Sequence, residues 1–444
     1  MNFRLSVVAG IVAGRLWEGP AAGHDNYHPM ISYAAALDIL ASAATPLPAA
    51  NLPCNPAAGL TAAADLASSV AVPPFANAAM DGFALRSIDT QGASAEAPLR
   101  LAVAGSIPAG SAAPAATAAG LAWEIMTGAP LPEGCDAVVA VERAEVQRDT
   151  AGRPQALLLR EPLAAGRNRR DAGEDFRPGG RLLAAGRAID APAIMGLAAT
   201  GTTTLLARPA PRVAVIATGS ELSGAPTLGA GLIRDSNRPY LAAMLTQLQL
   251  PLTGSTAVAD EPAAFTQALA AALDGADLVI TTGGVSAGRL DFVPAAITAM
   301  GGETLFHKVA IRPGKPLLAA RFGRRLVLAL PGNPMAVAVG LRFFVLPALR
   351  ALAGRAPEPR LRARALDAIH SRKGLTFFAK ARAHVDAQAS LCVSALPGQE
   401  SFRIAPLLAA NCWAILDAER GGVAAGELLD VAPLLPGEFP AGAH

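Results

Sequence analysis

The chain has 444 residues, of which 52% are hydrophobic and 16% charged, with a formal net charge of +2. That length exceeds one ordinary core and predicts two to four domains. The composition excludes long disordered tails and the broad basic footprint of a nucleic-acid binder, so any anionic ligand must be held by a local cluster of donors. The four cysteines, Cys54, Cys135, Cys392 and Cys412, are dispersed with no Cys-x-x-Cys pair, which argues against a zinc site or a disulfide framework.

Residues 1–29 hold a short apolar run after one arginine, then a Pro/Gly-rich stretch, and are expected to be an unstructured extension rather than a signal peptide. No apolar run of about 18 residues escapes charge, so no membrane span is predicted. Helical spacing begins at Ser32, placed to cap, and Pro46 and Pro48 end the helix. From Asn51 to Arg160, short alternating runs broken by Pro and Gly predict a β-rich lobe. Asn168 to Gly180 reads as a loop, and Pro192 to Gly201 as a helix.

From Arg212 the pattern changes. Buried strands at Arg212–Gly219 and Asp277–Gly284 alternate with helices at Asn237–Leu248 and from Pro262 to about Leu273, with a short strand at Thr256–Ala259 between. That order predicts a doubly wound parallel sheet. A linker at Arg355–Pro359 leads to short strands near Leu361–Leu366, Phe377–His384 and Leu428–Ala432, a small C-terminal β-barrel or sandwich.

In open parallel sheets, ligands bind beyond the carboxyl ends of the strands. Two such ends carry Thr218-Gly219-Ser220-Glu221 and Thr282-Gly283-Gly284-Val285-Ser286, where glycines permit close backbone approach and successive N–H groups can nest an anion. Lys308, Arg312 and Lys315 fall within eight residues around a Pro-Gly turn and suit phosphate or an oxyanion. Pro331-Gly332-Asn333-Pro334 opens a helix whose start would again favour an anion. Asp81, Asp175, Glu221, Asp235 and Asp291 stand at turns, where a capping role is the commoner one. Phosphate chemistry, though, commonly uses Mg²⁺ held by one or two carboxylates and water. Neither a P-loop nor a dinucleotide fingerprint is present. The residues alone therefore point to an α/β domain binding a phosphorylated ligand, and go no further.

The motifs taken together resemble the molybdopterin molybdenumtransferase family, which includes bacterial MoeA and the E domain of gephyrin. The resemblance rests on Asn77–Ala84 (NAAMDGFA), Ile125–Pro130 (IMTGAP), Gly134–Glu142 (GCDAVVAVE), Gly173–Asp175 (GED), Ala217–Leu222 (ATGSEL), Asp235–Asn237 (DSN), Thr282–Asp291 (TGGVSAGRLD), Ile311–Pro316 (IRPGKP) and Leu330–Pro334 (LPGNP). It implies a multidomain chain: a linking domain (30–48 and 165–207), a β-rich lobe (49–164), an α/β domain of molybdopterin-binding type (208–354) and a C-terminal barrel (355–444). It also implies a cytoplasmic homodimer that inserts molybdate into adenylylated molybdopterin with Mg²⁺-dependent release of AMP. A molybdopterin adenylyltransferase and apo-molybdoenzymes would be its protein partners, with no membrane or nucleic acid involved.

Carried over position by position, the resemblance assigns catalysis to Asp81, Thr127, Glu221, Asp291, Lys308 and Lys315, and metal binding to Asp175, Asp235 and Glu221. Substrate binding falls to Gly283, Gly284, Ser286, Arg312, Pro331, Gly332, Asn333, Lys380 and Ser401. The chain departs from the family at Arg312, where lysine is usual, at Ala79 and Phe83, where Ser and Tyr are common, and at Met335-Ala336, where a serine often follows the turn. An adenylyltransferase or a non-catalytic dimeric scaffold on the same fold are the alternatives.

Overall fold

The computed structural model describes residues 29–55, 57–112, 116–285 and 292–438. Ser286, Asp291 and nearly all of the expected N-terminal extension lie outside these residues.

The first helix runs Tyr33–Ala43, and the Ser32 hydroxyl caps it by accepting from the Ala35 amide at 3.1 Å. The chain then enters a lobe built on a six-stranded sheet, in the order Ala137–Ala140, Gly82–Leu85, Leu121–Ile125, Leu99–Ile107, Pro154–Leu159, Glu145–Arg148. Its core comprises Phe83, Leu85, Leu101, Val139 and Leu157. A small unit returns beneath it, with strand Ala50–Pro53 antiparallel to Thr204–Arg208 and a helix Ala191–Ala199 capped by Asp190. The stretch expected as a plain loop contains a short strand, Arg169–Arg170, paired with Asn77–Ala78.

The α/β domain holds a six-stranded sheet in the order Leu252–Val258, Val213–Thr218, Leu278–Thr282, Arg325–Leu330, Leu318–Phe322, Glu303–His307. The first four strands are parallel and the last two run antiparallel to their neighbours. The expected parallel sheet is therefore extended by an antiparallel edge, which lets Lys308–Lys315 return toward the strand ends. Alternate side chains serve two cores. Val213, Val215, Leu278, Ile280 and Leu328 face helix Asn237–Gln247 and the long helix; Ile216, Val279 and Val327 face helices Pro262–Gly275 and Val293–Ala299.

The long helix Pro334–Leu352, with a π-helical turn at Leu341–Val345, has the length and apolarity of a membrane span, but 83% of its apolar window is buried inside the fold. It is a core helix. Phe343 stacks on Phe378 of the C-terminal barrel at 4.1 Å, and Tyr33 meets Phe378 edge-on at 5.2 Å. Buried Arg342 bonds Glu358 at 2.8 Å and the Pro433 carbonyl at 2.9 Å. The Arg355–Pro359 linker is thus pinned between the two domains.

The C-terminal sheet closes on itself. Strands Thr376–Val385, Leu391–Ala395, Leu361–Ala365, Leu428–Pro433 and Cys412–Leu416 form a ring, completed by pairing of the last with the first. This is a five-stranded barrel, and strand Ile311–Arg312 of the α/β domain adds to it in parallel.

Candidate active site

Three loops meet at the carboxyl ends of the central parallel strands. The Gly283 amide donates to the Leu330 carbonyl at 3.0 Å. A Cβ on Gly283 would lie 2.4 Å from the Thr218 carbonyl oxygen and 2.7 Å from its hydroxyl, and one on Gly332 would lie 3.7 Å from the Gly283 Cα. Gly283 and Gly284 have φ of +91° and +64°. Glycine is required there twice over, by the left-handed backbone and by the absence of room. Asn237 Nδ2 donates to the Gly332 carbonyl at 2.8 Å and ties the Asp235-Ser236-Asn237 segment to this floor. The Asn237 contribution was hidden in the sequence, where it was one letter of a motif.

Glu221 follows the first strand end. The loop is set by a reciprocal pair, Ser220 amide to Asp260 carboxylate at 3.0 Å and Asp260 amide to Ser220 hydroxyl at 3.1 Å. The exposed Glu221 carboxylate folds back over Gly219, within 2.8–3.0 Å of where a Cβ would stand. Asp235, expected as a metal ligand, is occupied otherwise. Its Oδ1 accepts from the Asn237 and Arg238 amides at 3.0 and 3.1 Å, and its Oδ2 pairs with Arg238 Nε. It caps helix Asn237–Gln247, the turn role noted as commoner for such residues.

The basic segment forms one closed loop, because the Val309 amide donates to the Lys315 carbonyl at 2.9 Å. Lys308 is half-buried with φ of +72°, and Lys315 is exposed. Arg312 lies over the Phe377 ring at 5.2 Å, so a barrel side chain backs this guanidinium. A Cβ on Gly314 would lie 3.8 Å from the Ala336 carbonyl, which places the loop beside the helix that follows Pro331-Gly332-Asn333. From the barrel, the Ser401 carbonyl accepts the Met335 amide at 3.1 Å. Lys380, expected to bind substrate, is buried, and its ammonium is spent on the carbonyls of Gly398, Glu400 and Arg403. Burial holds its pKa below that of an ordinary lysine.

A second cluster lies on the lobe. Asp81 Oδ1 accepts from the Thr127 amide at 2.6 Å and the Thr127 hydroxyl at 2.7 Å. These bonds, the hydroxyl's foremost, hold its carboxyl below the usual range. Asp175 is exposed, its amide bonded to the Val72 carbonyl at 3.0 Å. Exposed Arg170 lies in the segment expected as loop, and strand pairing with Asn77 brings it beside the start of the Asn77–Ala84 motif that contains Asp81. Among the described residues, no hydrogen bond, ion pair or ring contact joins this cluster to the α/β one.

The described residues contain no group of three or more metal-binding side chains. Of the two α/β carboxylates described at the strand ends, Asp235 is held by Arg238 and two amides, whereas no described hydrogen bond or ion pair holds the Glu221 carboxylate. That fits Mg²⁺, which takes one or two carboxylates and completes its shell with water and phosphate, and does not fit a protein cage. The arrangement as a whole, a glycine floor beside exposed cations and a carboxylate, can hold a phosphorylated ligand and offset its charge.

Residues 31–201 match the family model for the MoeA N-terminal region (domain I and II), 214–351 that for a probable molybdopterin binding domain, and 362–434 that for the MoeA C-terminal region (domain IV). A molybdopterin molybdenumtransferase of Synechococcus elongatus is 38% identical over 414 residues, which covers 91% of this chain and all of the relative. Molybdopterin molybdenumtransferase 2 of Mycobacterium tuberculosis is 37% identical over 70% of this chain and 76% of the relative. A solved structure of the molybdopterin biosynthesis MoeA protein from Pyrococcus horikoshii OT3 is similar with a TM-score of 0.76 and 26% identity, covering 91% of this chain and 100% of that one.

Proposed function

Because this chain belongs to the molybdopterin molybdenumtransferase (MoeA) family, and so is a transferase that inserts molybdenum during molybdenum-cofactor biosynthesis, we propose that its substrates are adenylylated molybdopterin and molybdate, and that AMP is released as the metal is inserted. The observation that carries this reading is the closure of three glycine-bearing strand ends, with Gly283 against Thr218 and Leu330, beside a loop bearing Lys308, Arg312 and Lys315. Backbone N–H groups and cations there suit the pyrophosphate of the nucleotide ester, and a tetrahedral oxyanion fits between that loop and the Pro331-Gly332-Asn333 turn.

In this reading Gly283 and Gly284 let the substrate approach the sheet end closely. Lys308 and Lys315 offset charge on the phosphates and the leaving AMP. Arg312, held over the Phe377 ring at 5.2 Å, supplies the third cation of the loop and would serve the oxyanion. Glu221 would hold Mg²⁺, which when bound supplies neutralisation of phosphate charge and polarisation of water. Water attacks one phosphorus, one P–O bond breaks, AMP leaves and a proton is released to solvent. Two thiolates of the pterin replace two oxygens on the molybdate, and each displaced oxygen takes two protons from solvent and leaves as water.

Asp81, Thr127 and Asp175 act in this scheme from a second subunit. Support comes from the lobe cluster, which makes no described contact with the α/β cluster of its own chain yet holds a carboxylate already charged and oriented by Thr127.

The test is AMP release from purified protein given adenylylated molybdopterin, with and without molybdate and Mg²⁺. Molybdate-dependent release that is lost in Lys315→Ala is expected. ATP consumption with molybdopterin alone would favour an adenylyltransferase, and tight pterin binding without AMP release a scaffold.

A further inference from the structure

Lys380 stands on strand Thr376–Val385, the barrel strand that also carries Phe377, and is only 1% exposed. An ammonium taken out of water needs three acceptors. It finds the carbonyls of Gly398 at 2.7 Å, Arg403 at 3.1 Å and Glu400 at 3.4 Å. All three belong to one turn, so the cation is a pin through its centre. The Gln399 side chain fastens the same turn a second way: it accepts from the Lys380 amide at 3.0 Å and donates to the carbonyls of Lys380 and Leu396 at 2.8 and 2.6 Å. The Glu400 carboxylate pairs outward, with Arg403 at 3.0 Å.

Ser401 lies inside the pinned turn, and its carbonyl receives the Met335 amide in the first turn of the long helix, directly after Pro331-Gly332-Asn333. Strand Thr376–Val385 therefore braces the site at two points: Phe377 behind Arg312, and Lys380 behind Ser401. We infer that Lys380 is a positioning residue, whose ammonium holds the Gly398–Arg403 turn and, through Ser401, the start of the long helix where the oxyanion binds, without touching the oxyanion itself. The inference rests on the proposed reading of that turn as the oxyanion side of the site.

The experiment compares Lys380→Met, Ser401→Ala and the double variant by separate KM values for molybdate and adenylylated molybdopterin, kcat, and amide hydrogen exchange at Met335. Lys380→Met is expected to raise the molybdate KM about tenfold, roughly a hydrogen bond's worth, with the pterin KM within about twofold and Met335 exchanging faster. Ser401→Ala removes the hydroxyl and keeps the carbonyl that bonds Met335, so the double variant should be no worse than the poorer single one if Lys380 acts by orienting the turn that carries that hydroxyl. A merely structural lysine would lower the active fraction and melting temperature and leave the molybdate KM alone, which overturns the inference. Additive losses in the double variant overturn it too, because they mark an independent direct contact. If Lys380→Met does not fold, Gln399→Leu loosens the same turn with the ammonium intact, and an unchanged molybdate KM in that variant is equally fatal. Absence of molybdate-dependent AMP release in the unaltered chain would instead be a failure of the functional reading. Met335 exchange in the variants would still decide whether Lys380 holds the turn.

Discussion

Asn237 Nδ2 donates to the Gly332 carbonyl at 2.8 Å and so joins two loops that are 95 residues apart in the chain. One loop begins the helix Asn237–Gln247 and the other begins the long helix Pro334–Leu352. A single side chain thus sets the spacing between the carboxylate-bearing segment after Glu221 and the turn proposed to face the oxyanion.

Asn237→Ala should loosen that spacing without unfolding the domain. A net hydrogen bond is worth about 0.5–1.5 kcal/mol, so a fall in kcat/KM of up to about tenfold is expected, with a small change in melting temperature. Asn237→Asp is expected to be worse, because it removes the donor and brings a second carboxylate beside Asp235. Steady-state AMP release on the two variants checks the order.

Gly283→Ala tests the floor itself. The new methyl would stand 2.4 Å from the Thr218 carbonyl oxygen, on a residue with φ of +91°. Backbone is the obstacle, so no rotamer change relieves it. The strained backbone alone costs on the order of 1–3 kcal/mol, and the clash adds to it. Urea unfolding should show that loss with an unchanged slope, and activity should fall further than stability does. A variant as stable as the parent would mean that the strand ends do not meet as described.

These glycines were legible because a strand that ends in Gly-Gly can be read from local pattern alone. Lys380 was not. A lysine reads the same whether its ammonium meets water or carbonyls, and the three carbonyls that hold it come 18 to 23 residues later. The edge strand Leu252–Val258 was foreseen only near its end, from Thr256, because Thr253-Gly254-Ser255 has turn composition. In the fold these residues lie on an open sheet edge, where no apolar alternation is demanded. Strands Leu391–Ala395 and Cys412–Leu416 owe their existence to pairing with Thr376–Val385, a long-range requirement that neither segment carries in itself. The contacts of Asp235 are hidden for a related reason: the letter is the same whether its carboxylate meets a cation or, as here, Arg238 and the Asn237 and Arg238 amides.

Arg312 and Phe377 make a third test, of the departure from lysine in the basic loop. The ring lies 5.2 Å below the guanidinium. Phe377→Leu keeps an apolar side chain at this buried position and removes the π face, at a cost of about 0.5–1 kcal/mol in cation–π attraction. The expected result is a two- to fivefold rise in molybdate KM, as a rough conversion of that energy. Arg312→Lys should hold activity near the parent level in the Phe377→Leu background, since a lysine depends less on the ring for its orientation. If Phe377→Leu leaves the molybdate KM unchanged, the stacking positions nothing that substrate feels.

The pair of Asp81 and Thr127 gives a prediction in pH. The Thr127 hydroxyl and amide hold the Asp81 carboxyl below its usual range, so folding favours the charged form. Any stability from the pair is then present above the unfolded carboxylate value of about 3.9 and is lost as pH falls through the depressed folded value. Thr127→Val removes the hydroxyl bond and leaves the amide bond, so the Asp81 midpoint followed by carbon-detected NMR should rise toward, without reaching, about 3.9. From about pH 6 to 8 the carboxylate is charged in both proteins. A loss of roughly tenfold in kcat/KM on losing this hydrogen bond should therefore be constant over that window, because the hydroxyl contributes orientation and not charge. A loss that shrinks as pH rises would place the effect in the ionisation of Asp81 and remove Thr127 from the positioning role.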